Sequence, residues 1–257
     1  MGLFGGRSVP PVLDGPAWDE VLGLPVFAGL TAPEHARLRD LAGGLLADKT
    51  FTGVAGLTVD AAIATTVAAF AALPVLNLGL EWYRGWNEIV VYPAQFVPER
   101  EVTDDFGIVH RVRQPLSGEA WEGGPLLLSW DDVLYSGGGD GYNVVIHEFA
   151  HKLDMKNGAV DGLPPMHSGM RVDDWAMAFN AAYADFCRQV DAGAEPDIDA
   201  YAAESPAEFF AVLSEYFFEA PDILDRDYPA VYEQLRKFFK QDPLSRMEIP
   251  CNDPATS

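Results

Sequence analysis

The stretch IHEFAHKLD, Ile146 to Asp154, constrains this chain more than any other. Residues four apart lie one turn above each other on an α-helix, so His147 and His151 can grip one ion. At roughly 100° per residue, Val145, Ile146, Phe149, Ala150 and Leu153 gather on one side, while His147, His151 and Asp154 gather on the other. The expected element is a helix that buries one face and aims its imidazoles off the opposite one. His-Glu-x-x-His is the pattern in which both imidazoles ligate Zn²⁺ and the intervening Glu, here Glu148, acts as general base on the metal-bound water. The alternative is an amphipathic helix with two surface histidines. It is disfavoured because the chain has 5 histidines, and two of them fall with a glutamate in this frame.

A catalytic zinc usually takes three protein ligands and keeps a fourth position for water. The H-E-x-x-H-x-x-G-x-x-H pattern is excluded, because Asp154 stands at its glycine position and Asn157 at its third histidine. Of the remaining histidines, His35 and His110 lie far upstream, and His167 in DGLPPMHSGM is a possible ligand but reads better as a loop residue. A glutamate on a later helix is the common alternative, and YAAESPAEFFAVLSEYFFEAP, Tyr201 to Pro221, reads as that helix. Ser205 fits its N-cap, Pro206 its first position and Pro221 its stop. Glu208, Val212, Glu215 and Glu219 share one stripe there, and such a stripe is ordinarily the solvated face. Ser205-Pro206-Ala207-Glu208 also forms a capping box, which gives Glu208 a purely structural reading. Spacing alone leaves Glu208 and Glu215 equivalent as third ligand.

HEFAHKLD followed by YAAESPAEFFAVLSEYF resembles the Mlc titration factor A family of bacterial zinc peptidases and, more distantly, the catalytic domain of anthrax lethal factor. The likeness runs over most of the chain, including PLLLSWDDV, and is most specific from Val144 to Phe218. It implies a zincin-like metallopeptidase fold with a small β-sheet beside the metal helix and one Zn²⁺ per chain. In that group the third ligand is the Glu of an A-E-F-F stretch, with an active-site Tyr seven residues before it. Carried over, these are Glu208 and Tyr201, and Glu215 falls to supporting a ligating histidine. Asp154 stays open between orienting an imidazole and simple surface exposure.

The implied reaction is peptide hydrolysis at a metal held by His147, His151 and Glu208. Glu148 serves as base, and Tyr201 as hydrogen-bond donor to the developing oxyanion. Aminopeptidase and endopeptidase action both stay open. The family name further implies binding of a repressor of sugar-uptake genes. A non-catalytic interaction protein that sequesters a basic DNA-binding regulator, with its metal site structural or vestigial, is the rival from another class.

A formal net charge of −22 argues against a nucleic-acid surface, which needs clustered Lys and Arg. It is compatible with a basic protein partner, since long-range attraction speeds encounter, although such acidity is more often a solubility feature. Cys187 and Cys251 are too few for a disulfide framework, so a reducing, cytoplasmic setting is expected. MGLFGGRSVPPVLDGPAW lacks the continuous apolar stretch of a signal peptide, and Gly6 occupies the Ser/Thr position of the myristoylation pattern. The stretch from Ala61 to Leu80 is apolar, but its Thr pair, Pro74 and Asn77 favour a buried helix ending near Leu73 over a membrane span.

Along the chain the pattern is that of a mainly helical α+β protein. Residues 1–85 form an N-terminal helical region packed on a catalytic region, 86–241, with 242–257 a loose tail. Thr31 and Glu34 form a capping box opening a helix to about Leu46, and another helix spans about Asp60 to Leu73. Strands are expected at EIVVYP, Glu88 to Pro93, and PLLLSW, Pro125 to Trp130. The second precedes the zinc helix closely and is the better candidate for pairing with a peptide substrate. YSGGGDGYN, Tyr135 to Asn143, reads as a flexible connection, and without Gly-Lys-Ser/Thr it is no phosphate loop. Further helices cover about Asp174 to Val190, with Trp175, Phe179, Ala182 and Phe186 on one face, and about Pro229 to Lys240.

Overall fold

The computed structural model describes residues 13–96, 100–103, 109–112, 116–121 and 123–247. Three helices begin it: α1 (Pro16–Leu22), α2 (Ala32–Asp48) and, after strand β1 (Thr50–Gly53), α3 (Ala61–Ala72). The α2 capping box forms as expected, with Glu34 accepting the Thr31 N–H at 2.8 Å. Asp60 caps α3 by accepting the Ile63 N–H at 2.9 Å. Pro74 follows directly, and Val67 to Leu73 are buried throughout, so the apolar run is an interior helix. None of the described helices is long and apolar enough to cross a membrane.

Next come β2 (Glu88–Tyr92), the antiparallel pair β3 (Arg100–Thr103) and β4 (Val109–Val112), then β5 (Gly118–Ala120) and β6 (Leu126–Ser129). The main sheet is mixed, in the order β1-β2-β6-β5. Ile89 pairs parallel with Leu126, and Gly118 pairs antiparallel with Leu128. Both expected strands are present, but β6 lies inside the sheet with all four residues buried. It therefore offers no edge to a substrate. Among the described residues the edge on this side is β5, whose Gly-Glu-Ala carries no apolar run to announce a strand.

The remaining elements are α4 (Trp130–Tyr135), α5 (Val144–Asp154), α6 (Val172–Asp191), α7 (Pro206–Glu219), α8 (Pro221–Asp227), α9 (Pro229–Phe239) and α10 (Pro243–Met247). The fold is thus α+β and mainly helical. One apolar core runs from Leu13 to Phe239. In it, α5 packs under β5 and β6 and along α7, while α6 and α9 pack together beyond α7. Trp175, Phe179, Ala182 and Phe186 of α6 are buried, as their helical spacing requires. Part of the segment expected to be loose is instead helix α10, where Arg246 bonds Glu34 at 3.2 Å and Gln241 at 3.0 Å. Residues 248–257, with Cys251, lie outside the described residues, as do residues 1–12 with Gly6.

Candidate metal centre

Helix α5 is buried along its whole length, with His147 only 9% and His151 only 7% exposed. The expected amphipathic division does not hold, because the face carrying the imidazoles is covered by α7. Two elements hold the start of α5. Asn143 caps it, accepting the Ile146 N–H at 3.0 Å. Its own side-chain amide donates to Glu219 at 2.7 Å, and its backbone N–H donates to Glu215. Carboxylates at a helix N-terminus also meet the positive end of the helix dipole.

The glycine-rich connection before α5 is consequently held in place. The Gly139 N–H donates to Glu219 at 2.8 Å, and Gly137, Gly139 and Gly141 all take positive φ. A Cβ on Gly141 would strike the Tyr216 ring, so the run of glycines serves close packing.

The stripe on α7 is likewise buried, with Glu215 only 4% exposed. Ser205 caps this helix by accepting the Glu208 N–H at 3.1 Å, and Pro206 takes the first turn. The Glu208 side chain turns to α5 instead. Its Oε2 lies 3.0 Å from His147 Nε2 and 3.3 Å from His151 Nε2, and the two Nε2 atoms are 3.2 Å apart. Glu215, two turns on, takes the other side of His147, accepting from Nδ1 at 2.8 Å. That bond leaves the Nε2 lone pair of His147 facing His151 and Glu208. Spacing did not separate the two glutamates, but the imidazole nitrogens they meet do.

Two ring nitrogens and a carboxylate oxygen converging in this way form a donor set suited to a cation. A tetrahedron with bonds of about 2.0 Å has edges of about 3.3 Å, the scale on which zinc holds nitrogen and oxygen ligands. The separations of 3.0, 3.2 and 3.3 Å fit it. Among the described residues, His147, His151 and Glu208 are the one such group able to hold a metal. Without a cation, burial opposes a charge on His147, but the hydrogen bonds it donates to Glu208 and Glu215 outweigh that and hold its pKa well above the ordinary range. For Glu208 burial works upward, but the two histidines prevail and hold it far below the usual carboxylate range.

Glu148 is 4% exposed and its Oε2 has no hydrogen-bond partner. Burial raises its pKa to about 7, against the downward pull of both histidines. It lies under β5, where a Cβ on Gly118 would come within 2.6 Å of its Cγ. Only glycine lets the strand pass so close to the carboxylate.

One turn on, Lys152 donates to the carbonyls of Trp121 at 2.6 Å and Gly124 at 2.9 Å, tying the connection between β5 and β6 to α5. On the other side of β5, Asp132 accepts from Ser117 at 2.9 Å and from Tyr142 at 3.1 Å. Gly118, Asn143, Lys152 and Asp132 were not singled out from sequence, and Glu219 was read only as part of the acidic stripe. Asn143 carried a signal, a cap residue just before an apolar helical run, whereas the others act only through partners distant in sequence.

Tyr201 sits in the 3-10 turn Ala200–Ala203, which Asp199 caps by accepting the Tyr201 N–H at 2.9 Å. Its ring centroid lies 6.0 Å from that of His147 and it is 47% exposed, at the wall of a cavity beside the candidate metal-holding group.

Asp154 is fully buried, which removes the surface reading. Its Oδ2 accepts the Gly162 N–H at 2.8 Å, fastening the loop after α5. Its Oδ1 and His151 Nδ1 are both without a partner, so the imidazole-orienting bond is not made directly. His167 is remote from the centre and bonds the Phe238 carbonyl at 2.8 Å. His35 belongs to α2, and the side chain of His110 lies outside the described residues.

A family model described as glucose-regulated metallo-peptidase M90 matches residues 13–240. Mlc titration factor A of Yersinia pestis (strain Pestoides F) is 43% identical over 235 residues, covering 90% of this chain and 86% of the relative. Mlc titration factor A of Salmonella agona (strain SL483) is 41% identical over 237 residues, covering 90% of this chain and 88% of the relative.

Proposed function

The chain belongs to the glucose-regulated M90 metallopeptidase family, and from that premise we propose that it is a zinc-dependent peptidase with a zincin-like catalytic region in residues 86–241. The observation that carries this reading is the convergence of His147 Nε2, His151 Nε2 and Glu208 Oε2 beside a buried carboxylate, Glu148, whose Oε2 is unpaired. His147, His151 and Glu208 would hold one Zn²⁺. The ion, when bound, supplies Lewis acidity, polarising the scissile carbonyl and lowering the pKa of water towards about 7.

This chain's residues do the rest. Glu148, buried beside the two imidazoles with its Oε2 unpaired, takes a proton from the attacking water and passes it to the leaving amine. Tyr201, at the cavity wall, donates a hydrogen bond to the carbonyl oxygen as negative charge develops there. Glu215 fixes the tautomer and orientation of His147 through Nδ1. The substrate backbone adds as a strand to the edge of β5, which Lys152 and Asp132 hold over Glu148.

Metal analysis of purified protein, combined with cleavage of a diverse peptide library, tests this. The expected result is one zinc per chain and hydrolysis that the Glu148→Gln variant loses. A metal-loaded wild type that cleaves no peptide removes the proposal.

A second activity is supported by the relatives' name, Mlc titration factor A: binding of a DNA-binding repressor of the Mlc type. The net charge of −22 suits a basic partner of this kind. Such a partner also assigns the chain to the cytoplasm. Pull-down of a purified Mlc-type repressor by wild type and by Glu148→Gln separates the two activities. Equal capture by both would show that binding needs no catalysis. Capture without hydrolysis in the wild type would favour the non-catalytic sequestering protein.

A further inference from the structure

On the His147 side of the metal centre lies a cavity of about 310 Å³, walled by the start of β5, by α5 and α7, and by the Ala200–Ala203 turn. Its apolar walls include Leu116, Val144 and Val212, its acidic groups are Glu148, Asp199 and Glu215, and among the described residues no Lys or Arg lines it. These carboxylates are not equivalent. Glu215 is engaged with both His147 and Asn143, and Glu148, buried with Oε2 unpartnered, faces the reaction. Asp199 is exposed, and its Oδ1 caps the turn through the Tyr201 N–H. Its charge therefore stands at the cavity wall, beside the apolar side chains and with no lysine or arginine among the described lining residues to offset it.

Three kinds of side chain fare differently in such a pocket. An acidic one meets like charge. A neutral apolar one buries area against Leu116, Val144 and Val212, but it displaces water from the Asp199 carboxylate without replacing the lost hydrogen bonds. A lysine or arginine packs its methylene stem on the apolar walls and brings its charged head to Asp199. We propose that this cavity selects a cationic side chain next to the scissile bond, with Asp199 as the specificity-determining residue. The inference rests on the peptidase reading of the same site.

The test uses the zinc-loaded full chain and peptides that differ only in one residue flanking the scissile bond, on either side: lysine, norleucine or glutamate. Asp199→Asn is the matching variant, because asparagine keeps a capping oxygen for the turn while losing the charge. In the wild type, kcat/KM for lysine is expected to exceed that for norleucine about 5-fold at one of the two positions, the scale of a partly exposed ion pair. Glutamate should be the poorest of the three.

In Asp199→Asn the lysine-to-norleucine ratio should fall towards about 1. That loss reads the local contact, since the variant removes one charge from a chain whose net charge is −22 and leaves the general attraction for cations almost intact. A lysine peptide no better than norleucine at either position, or a preference that survives in Asp199→Asn, overturns the proposal.

If the zinc-loaded wild type cleaves none of the peptides, the peptidase reading fails and the cavity is judged by binding to zinc-loaded Glu148→Gln. Tighter binding of the lysine peptide, abolished by adding Asp199→Asn, upholds cation selection. Equal affinities for lysine and norleucine overturn it.

Discussion

Helix α7 has two buried seams of opposite character. Towards α5 it presents Glu208, Glu215 and Glu219, and towards α6 and α9 it presents aromatic rings. On the aromatic side Phe210 stands 5.9 Å from Trp175 and 6.2 Å from Phe238, centroid to centroid. The aromatic seam gains stability from burial itself. The polar seam has to offset burial with partners, and each of its glutamates reaches them across a helix boundary: Glu208 at both imidazoles, Glu215 at His147 and Asn143, Glu219 at Asn143 and Gly139. Exposure alone does not separate the seams. What separates them is whether removing a group costs packing or leaves a buried partner unsatisfied.

The largest effect should come from Glu148→Gln, which keeps shape and removes the base. Hydrolysis should fall by about 10²–10⁴-fold, with zinc content and unfolding midpoint close to wild type. Full activity in this variant would sink the proposed base.

Glu208→Gln comes next. If Glu208 were only a capping-box residue the change would be mild, since glutamine serves there too. As the oxygen nearest both Nε2 atoms, its replacement by a neutral amide should lower zinc affinity in chelator competition by more than the change at Glu215. Glu215→Gln should cost about 10–100-fold in zinc affinity, the usual loss when a ligand's hydrogen-bond partner is altered. A greater loss at Glu215 than at Glu208 would reverse their assigned roles.

Phe210→Ala probes the other seam. It should lower unfolding free energy by about 3–5 kcal/mol while the folded fraction still binds zinc normally. Loss of zinc affinity in that folded fraction would erase the distinction between the seams.

Much of this architecture was readable before the fold. The Thr31 capping box, the Asp60 and Ser205 starts, the period of α6, and strands β2 and β6 all follow from local rules of spacing and capping. Other features are set by what packs against them, and there local rules fail. A carboxylate stripe reads as solvated on a lone helix, but α5 covers it here. Three leucines announce β6, but not that β5 will take the sheet edge. Nothing around Gly118 signals a strand that must pass over Glu148, and α10 is too short to stand out. At the candidate site, the choice between Glu208 and Glu215 needed the ring nitrogens, and Asp154 needed the Gly162 N–H.

The smallest effect in this set is a pH dependence that should belong to the polar seam alone. In the metal-free protein burial raises Glu148 to about 7, Glu219 to about 7 and Asp154 to about 6. A carboxylate with a raised pKa binds its proton more tightly folded than unfolded. Its contribution is greatest below the unfolded value and is lost as pH rises towards the folded one. His147 acts in the same direction, since its pKa is also raised and its stabilisation is lost at higher pH. Glu208, held low, contributes fully above the ordinary carboxylate range and is constant across this window. The metal-free chain should therefore unfold at lower denaturant at about pH 7.5 than at about pH 5.5. Zinc should reduce or reverse that trend, because its ligands must be deprotonated to bind it. Phe210→Ala should lower both midpoints and leave their difference unchanged, whereas Glu219→Gln should shrink it. A metal-free midpoint that rises with pH over this interval would mean that these groups do not carry their buried charge as the geometry requires.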